Sequence, residues 1–181
     1  MKKVLIICLS IFSLTLLTGC SMDNTPTKKT EAFLNNYRNL DTVVIDQMND
    51  VVNQDAMMTE SQRMTYKDLI KKQYQDLTYT IKDETIDGND ATVSVEIEVY
   101  DFYKINKNSE IYYTSYPDEF KDTNGNLVNE RYIDYRVNAL KTSKERIKYT
   151  IDFKLKKVDN VWIMQDTDEI TRQKIHGLFA Y

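Results

Sequence analysis

Apolar side chains recur every three or four positions between residues 30 and 53: Phe33, Tyr37, Leu40, Val44, Met48 and Val51. That spacing is one stripe of a helix, and Asp41-Thr42 offers a point to break it into two. Thr59 to Gln62 carries the residues of a capping box, so a further helix with Met64, Leu69, Ile70 and Tyr74 apolar should start there and end near Asp76. The period then falls to two. Leu77, Tyr79 and Ile81 alternate with polar residues. Asp87-Gly88-Asn89-Asp90 is a hairpin turn, and Val93, Val95, Ile97 and Val99 oppose Thr92, Ser94, Glu96 and Glu98. Near Tyr100 to Tyr103 the alternation blurs, which predicts a bulge or bend. Ile111 to Tyr116 reads as a third strand. Residues 117–142 stay open between loop and helix, although Tyr132, Tyr135, Val137 and Leu140 allow a short helix. A long strand follows, with Ile147, Tyr149, Ile151, Phe153 and Leu155 on one face. Asp159-Asn160 turns it into a return strand from Val161 to Gln165. Asp166 and Glu169 suit the start of a last short helix that Gly177 ends.

Helices first and strands afterwards predict an α+β fold, with N-terminal helices covering the apolar face of a twisted antiparallel sheet. This element order over residues 28–167, with the strand–turn–strand ending Lys154 to Met164 and its tryptophan, resembles the NTF2-like or cystatin-like domains. The resemblance implies a pocket-prone domain that holds a small molecule or pairs sheet to sheet as a homodimer. It carries no catalytic motif, so no functional residue is transferred.

The first twenty residues follow another logic. Lys2 and Lys3 precede an uncharged, mostly apolar run of about fourteen residues, short for a membrane span. It ends in Leu17-Thr18-Gly19-Cys20, which resembles the lipobox of bacterial lipoproteins. The resemblance implies cleavage before Cys20, a diacylglycerol on its thiol, and a place at the extracytoplasmic face of the cell membrane. Cys8 would leave with the leader, so Cys20 would be the sole cysteine of the mature chain and no internal disulfide could form. The expected organisation is a signal peptide over 1–20, a polar tether over 21–27 and one globular domain over 28–181. Abundant Lys, Asn, Ile and Tyr suggest an AT-rich, Gram-positive host.

Composition narrows the chemistry further. Net charge is −4 over 181 residues, and two of the lysines lie in the leader. The acidic balance argues against a nucleic-acid binder, which needs clustered cations for phosphate. The one basic strip, Lys154, Lys156 and Lys157, reads as a solvated strand edge. No GxSxG motif and no His/Cys cluster is present, so neither a serine triad nor a zinc site is indicated, and no cofactor is implied. Asp122, Asn124 and Asn126 have EF-hand-like spacing, but Gly125 and Ile133 stand where that loop's pattern fails, leaving a plain turn. The single histidine, His176, sits at a helix end, where a protonated imidazole would favour the dipole, and it reads as a capping or packing residue, not a catalytic one. Glu96 and Glu98 read as an exposed strand face, and Asp166, Asp168 and Glu169 as a helix start. The aromatic middle, Tyr100, Phe102, Tyr103, Tyr112 and Tyr113 with Tyr116, is the candidate ligand or partner surface. The functional expectation is a membrane-anchored binding or interaction domain whose partner is a small molecule or an envelope protein. The alternatives are an envelope enzyme using carboxylates and tyrosines in a cavity, or a structural or regulatory envelope protein.

Overall fold

The computed structural model describes residues 24–181, so the leader and Cys20 lie outside the described residues. Three helices come first: α1 (Pro26–Asn39), α2 (Thr42–Asn53) and α3 (Glu60–Gln75). A hairpin, β1 (Thr78–Asp87) and β2 (Asp90–Tyr100), follows. Then come α4 (Phe102–Ser115), a 3-10 turn (Pro117–Phe120) and α5 (Asn129–Thr142). A second hairpin, β3 (Arg146–Val158) and β4 (Val161–Met164), precedes α6 (Glu169–His176). The class is α+β. The four strands form one antiparallel sheet in sequence order.

Local chemistry explains each boundary. Leu40 ends α1 in the left-handed region at φ 56°, and Asp41 starts α2, so the long apolar stripe is broken where the polar pair stands. Thr59 and Gln62 make the reciprocal capping box of α3. The two-residue loop of the second hairpin has both Asp159 and Asn160 at positive φ, the mirror-image turn that matches strand twist. Gly177 caps α6 at φ 69°.

On the inner face of the sheet, Val93, Val95, Ile97 and Val99 are fully buried beside Ile151, Phe153 and Leu155. Leu34 and Tyr37 of α1 and Ile70 and Tyr74 of α3 close over them. The outer face is polar, and it carries ion pairs across the strands: Glu96 meets Lys82 and Lys148, and Glu98 meets Arg146.

Two expectations are corrected. Residues 111–115 are not a strand but the last turns of α4, and Tyr116 is its C-cap. The blurred alternation at 100–103 is not a bulge: Asp101 stops β2 and caps α4, its carboxylate accepting from the Lys104 amide at 3.0 Å. At the start of the described residues, α1 begins at Pro26 and Asn24 is already bonded to the second hairpin. The Asn24 side chain donates to the Asn160 carbonyl at 2.8 Å and accepts from the Trp162 amide at 3.0 Å.

One buried amide joins three of these elements. Gln73 of α3 is fully buried. Its Nε2 donates to the carbonyls of Tyr100 and His176, both at 3.0 Å, and its Oε1 accepts from the Tyr100 amide at 2.8 Å. A Cβ on Gly177 would lie 2.1 Å from the Tyr100 carbonyl oxygen and 2.3 Å from Gln73 Nε2, so only glycine fits there. Replacing Gln73 with leucine keeps the volume but strands buried backbone groups at about 1–3 kcal/mol each. Gln73→Leu is therefore expected to cost about 3 kcal/mol or more, read from urea unfolding, whereas a loss under about 1 kcal/mol would mean that the backbone ends of β2 and α6 find other partners.

Candidate functional site

Two adjoining clefts run between α2, the loop that follows it, and the C-terminal segment. One, of about 510 Å³, is lined by Gln47, Asp50, Val51 and Gln54 from α2 and its end, facing Glu169, Arg172, Gln173 and His176 from α6. The other, of about 430 Å³, is lined by Asp55 to Met58 of the α2–α3 loop with Tyr66, Asn106 and Arg136. Val51, Gln54 and Leu178 line both, so the two form one trough. Each volume is in the range of small-molecule sites.

The polar lining of the first half comes from two helical stripes. Gln47, Asp50 and Gln54 are spaced three and four apart, as are Glu169, Arg172, Gln173 and His176, so each set faces one way. The α6 stripe is self-braced. Arg172 donates to the Glu169 carboxylate at 2.9 Å and to the Thr167 carbonyl at 2.6 Å, while Gln173 donates to Glu169 at 3.2 Å. The Arg172 and Gln173 hydrogen bonds hold Glu169 below the usual carboxylate range. Across the trough, Gln47 Oε1 accepts from the Tyr37 hydroxyl at 2.7 Å.

The second half is held open by its loop. Arg63 donates to the carbonyls of Val52 at 3.1 Å and Met58 at 3.2 Å, tying both ends of the loop to α3. Asp55 is paired with Arg136 of α5 at 2.5 Å. Burial alone would raise the Asp55 carboxyl, but the Arg136 hydrogen bond, the Met57 amide and nearby positive charge together bring it below its ordinary value. Tyr66 is buried beside this pair, and burial pushes its hydroxyl up to about 12. Two buried polar atoms of these lining residues have no protein partner: Arg136 Nε and Asn106 Oδ1. One is a donor and one an acceptor, and both atoms are buried within the wall of this half.

His176 serves packing, not a charged cap. It is 4% exposed, and its Nδ1 lies 2.8 Å from the Tyr74 hydroxyl. Desolvation, partly offset by Glu169 and reinforced by Arg172, pushes the imidazole down to about 4, so it is neutral at pH 7. Of the capping and packing roles expected for it, burial leaves packing: an imidazolium there would lose its water without a carboxylate in contact.

The aromatic candidates divide into separate groups, and none lines the trough. Tyr112 stacks on Tyr135 at 4.7 Å, and Tyr113 tilts against Tyr132 at 4.5 Å. Buried Phe120 meets all four rings, so these tyrosines clamp α4 to α5. Tyr116 packs on Tyr112 in the same group. Tyr100 stacks on Phe102, lies under the Arg146 guanidinium and donates to Asp76 at 2.7 Å, while Tyr103 packs on Tyr181. Asp122 accepts from the amides of Asn124 and Asn126 at 2.8 and 2.9 Å, as a turn residue does. Among the described residues no cluster of three or more His, Cys, Asp or Glu side chains could hold a metal, and no helix is long and apolar enough to cross a membrane.

Comparison with known protein families, with curated proteins and with solved structures finds no match.

The buried imidazole sets a pH dependence. An unfolded histidine titrates near 6.5. Between that value and about 4 the unfolded chain takes up a proton that folded His176 refuses. Stability is therefore fully present above pH 6.5 and falls as pH drops through this window, by up to about 3 kcal/mol in all. Urea midpoints at pH 7, 6 and 5 should show the decline above the carboxylate range. His176→Gln, though less stable throughout, should show a flatter profile, and an equal slope in the variant would place its source elsewhere.

Proposed function

We propose that this chain is a lipid-anchored extracytoplasmic binding domain, with the trough between α2 and α6 as its ligand site. The observation that carries this reading is the trough itself. It is walled by two polar helical stripes in its first half and lined by Asp55, Asn106 and Arg136 in its second. Lining that mixes carboxylates, guanidiniums and amides suits a small polar molecule bearing both donors and acceptors, such as an amino acid or a short peptide. Helices laid over one face of an antiparallel sheet support a likeness to NTF2-like or cystatin-like domains. The leader ending in Leu17-Thr18-Gly19-Cys20 supports the anchor and the extracytoplasmic location. The enzymatic alternative has less support, because Glu169 and Asp55 are each committed to an arginine.

Anchoring and binding are tested separately. Cys20→Ala should release the protein from the membrane fraction, and mass spectrometry of the wild-type N-terminal peptide should find the cysteine acylated. An unmodified Cys20 would end the lipoprotein reading.

For the trough, the full-length protein is challenged with amino acids, dipeptides and small sugars in a thermal-shift series. A compound present at a hundred times its Kd should stabilise by about 2.7 kcal/mol. Gln54→Trp, which fills the exposed junction of the two halves, should abolish that gain with little change in the unliganded Tm. A gain that survives in Gln54→Trp would move the site elsewhere, and no gain from any compound would reject this ligand class.

A further inference from the structure

The polar outer face of the sheet has one apolar corner. Val158, Val161 and Ile163 are 45%, 45% and 46% exposed. Val158 pairs directly with Val161 across the second hairpin, and Ile163 lies opposite Lys156, so alternation puts all three on the outer face. Trp162 and Leu155, between them in sequence or register, point inward and are buried. Elsewhere the outer face carries Thr92, Ser94, Glu96, Glu98, Lys148, Thr150, Asp152 and Lys154, so the apolar positions are confined to the hairpin end. The first hairpin turn lies beside it, with the Lys157 amide donating to the Asn89 carbonyl at 2.7 Å.

The chain enters the fold at this same corner. Asn24 is held to Asn160 and Trp162, one residue either side of Val161. Three residues lie between Cys20 and Asn24, so residue 20 can be no more than about 14 Å from Asn24 even when fully extended.

We infer that the Val158–Val161–Ile163 corner is a membrane seat that rests in the headgroup–acyl boundary and fixes the orientation of the anchored domain. The inference rests on the lipid-anchor reading above. The occupant is lipid for two reasons. The tether length leaves the corner beside the bilayer, and the side chain of Asn24 takes the Trp162 amide of β4 and the Asn160 carbonyl beside it, two groups that a second copy pairing along this edge would need. Charge is a minor part of the contact, since Lys154, Lys156 and Lys157 are largely offset by Asp90, opposite Lys156 in register, and by Asp159 in the turn. Seating should therefore occur on zwitterionic lipid and resist added salt.

Full-length protein, purified from membranes of a lipid-modifying host and placed in phosphatidylcholine vesicles, tests this with nitroxides. The variants are Ile163→Cys, Val158→Cys and, as a control at the opposite end of β3, Lys144→Cys. Each should accept one label per chain, because Cys20 is blocked. More than one label would reject the anchor reading and says so before any lipid measurement. With one label, the ratio of oxygen to nickel-chelate collisions at 158 and 163 should exceed that at 144 by roughly three-fold or more, and 0.5 M salt should not reduce it. Equal ratios at 144, 158 and 163 would overturn the seat while leaving the anchor intact. Spin–spin broadening at 163 without lipid exposure would assign the corner to a second copy and overturn it too.

Discussion

Gln73 is the constraint on which the C-terminal half of this fold depends. A fully buried amide with all of its bonds made to backbone fixes where β2 ends and where α6 ends. Each partner would otherwise be an orphaned peptide group inside the protein, costing more than a surface hydrogen bond returns. The geometry leaves no room at Gly177, so the same contact specifies a glycine where a left-handed helix cap also requires one. Fixing Tyr100 starts α4 at Asp101, and fixing His176 sets the imidazole against Tyr74. The floor of the trough, His176 and Leu178, is thus placed by a residue outside the trough.

Regular hydrophobic periods made much of this fold legible. The helical stripe from Phe33 to Val51, the capping box at Thr59 and the alternation along both long strands all lie where burial repays the pattern. The third strand failed for an equally physical reason. Ile111-Tyr112-Tyr113-Thr114 has the residues that favour strands, yet Asp101 caps a helix ten residues earlier. Phe102, Ile105 and Ser109 supply its buried stripe. Tertiary packing against α5 then overrides local preference, as the Tyr112–Tyr135 stack shows. The ambiguity over 117–142 had the same root. The helix α5 carries Tyr132 and Tyr135 beside its buried Ile133, Val137 and Leu140, so apolar character spreads around it and the contrast between inside and outside is weak.

The trough was less legible because its walls are polar. A stripe of Gln47, Asp50 and Gln54 has the composition of a solvated helix face, and Glu169 reads as a first-turn acid. What sequence lacks is the knowledge that these two stripes face each other. The stripe spacing was present, and a polar period on α2 opposite its buried Val44, Met48 and Val52 was the available signal. Arg136 and Asp55 are eighty-one positions apart and carry no local trace of their pairing. The aromatic residues were conspicuous and drew attention to α4, but their rings are spent on one another.

The separation of the two surfaces has a functional consequence. The apolar corner belongs to the outer face of the sheet, whereas the trough is bounded by helices and the C-terminal segment on the other side. A domain seated on lipid through the hairpin would thus hold its trough on the side turned from that seat, open to the extracytoplasmic solvent. Asn24 makes this arrangement stiff, because it binds the incoming chain to the hairpin instead of leaving a free linker. A long tether would let the domain tumble and present any face. Three intervening residues and two hydrogen bonds would restrict a domain anchored at Cys20 to a small set of orientations, in which the polar walls of α2 and α6 stay clear of the membrane.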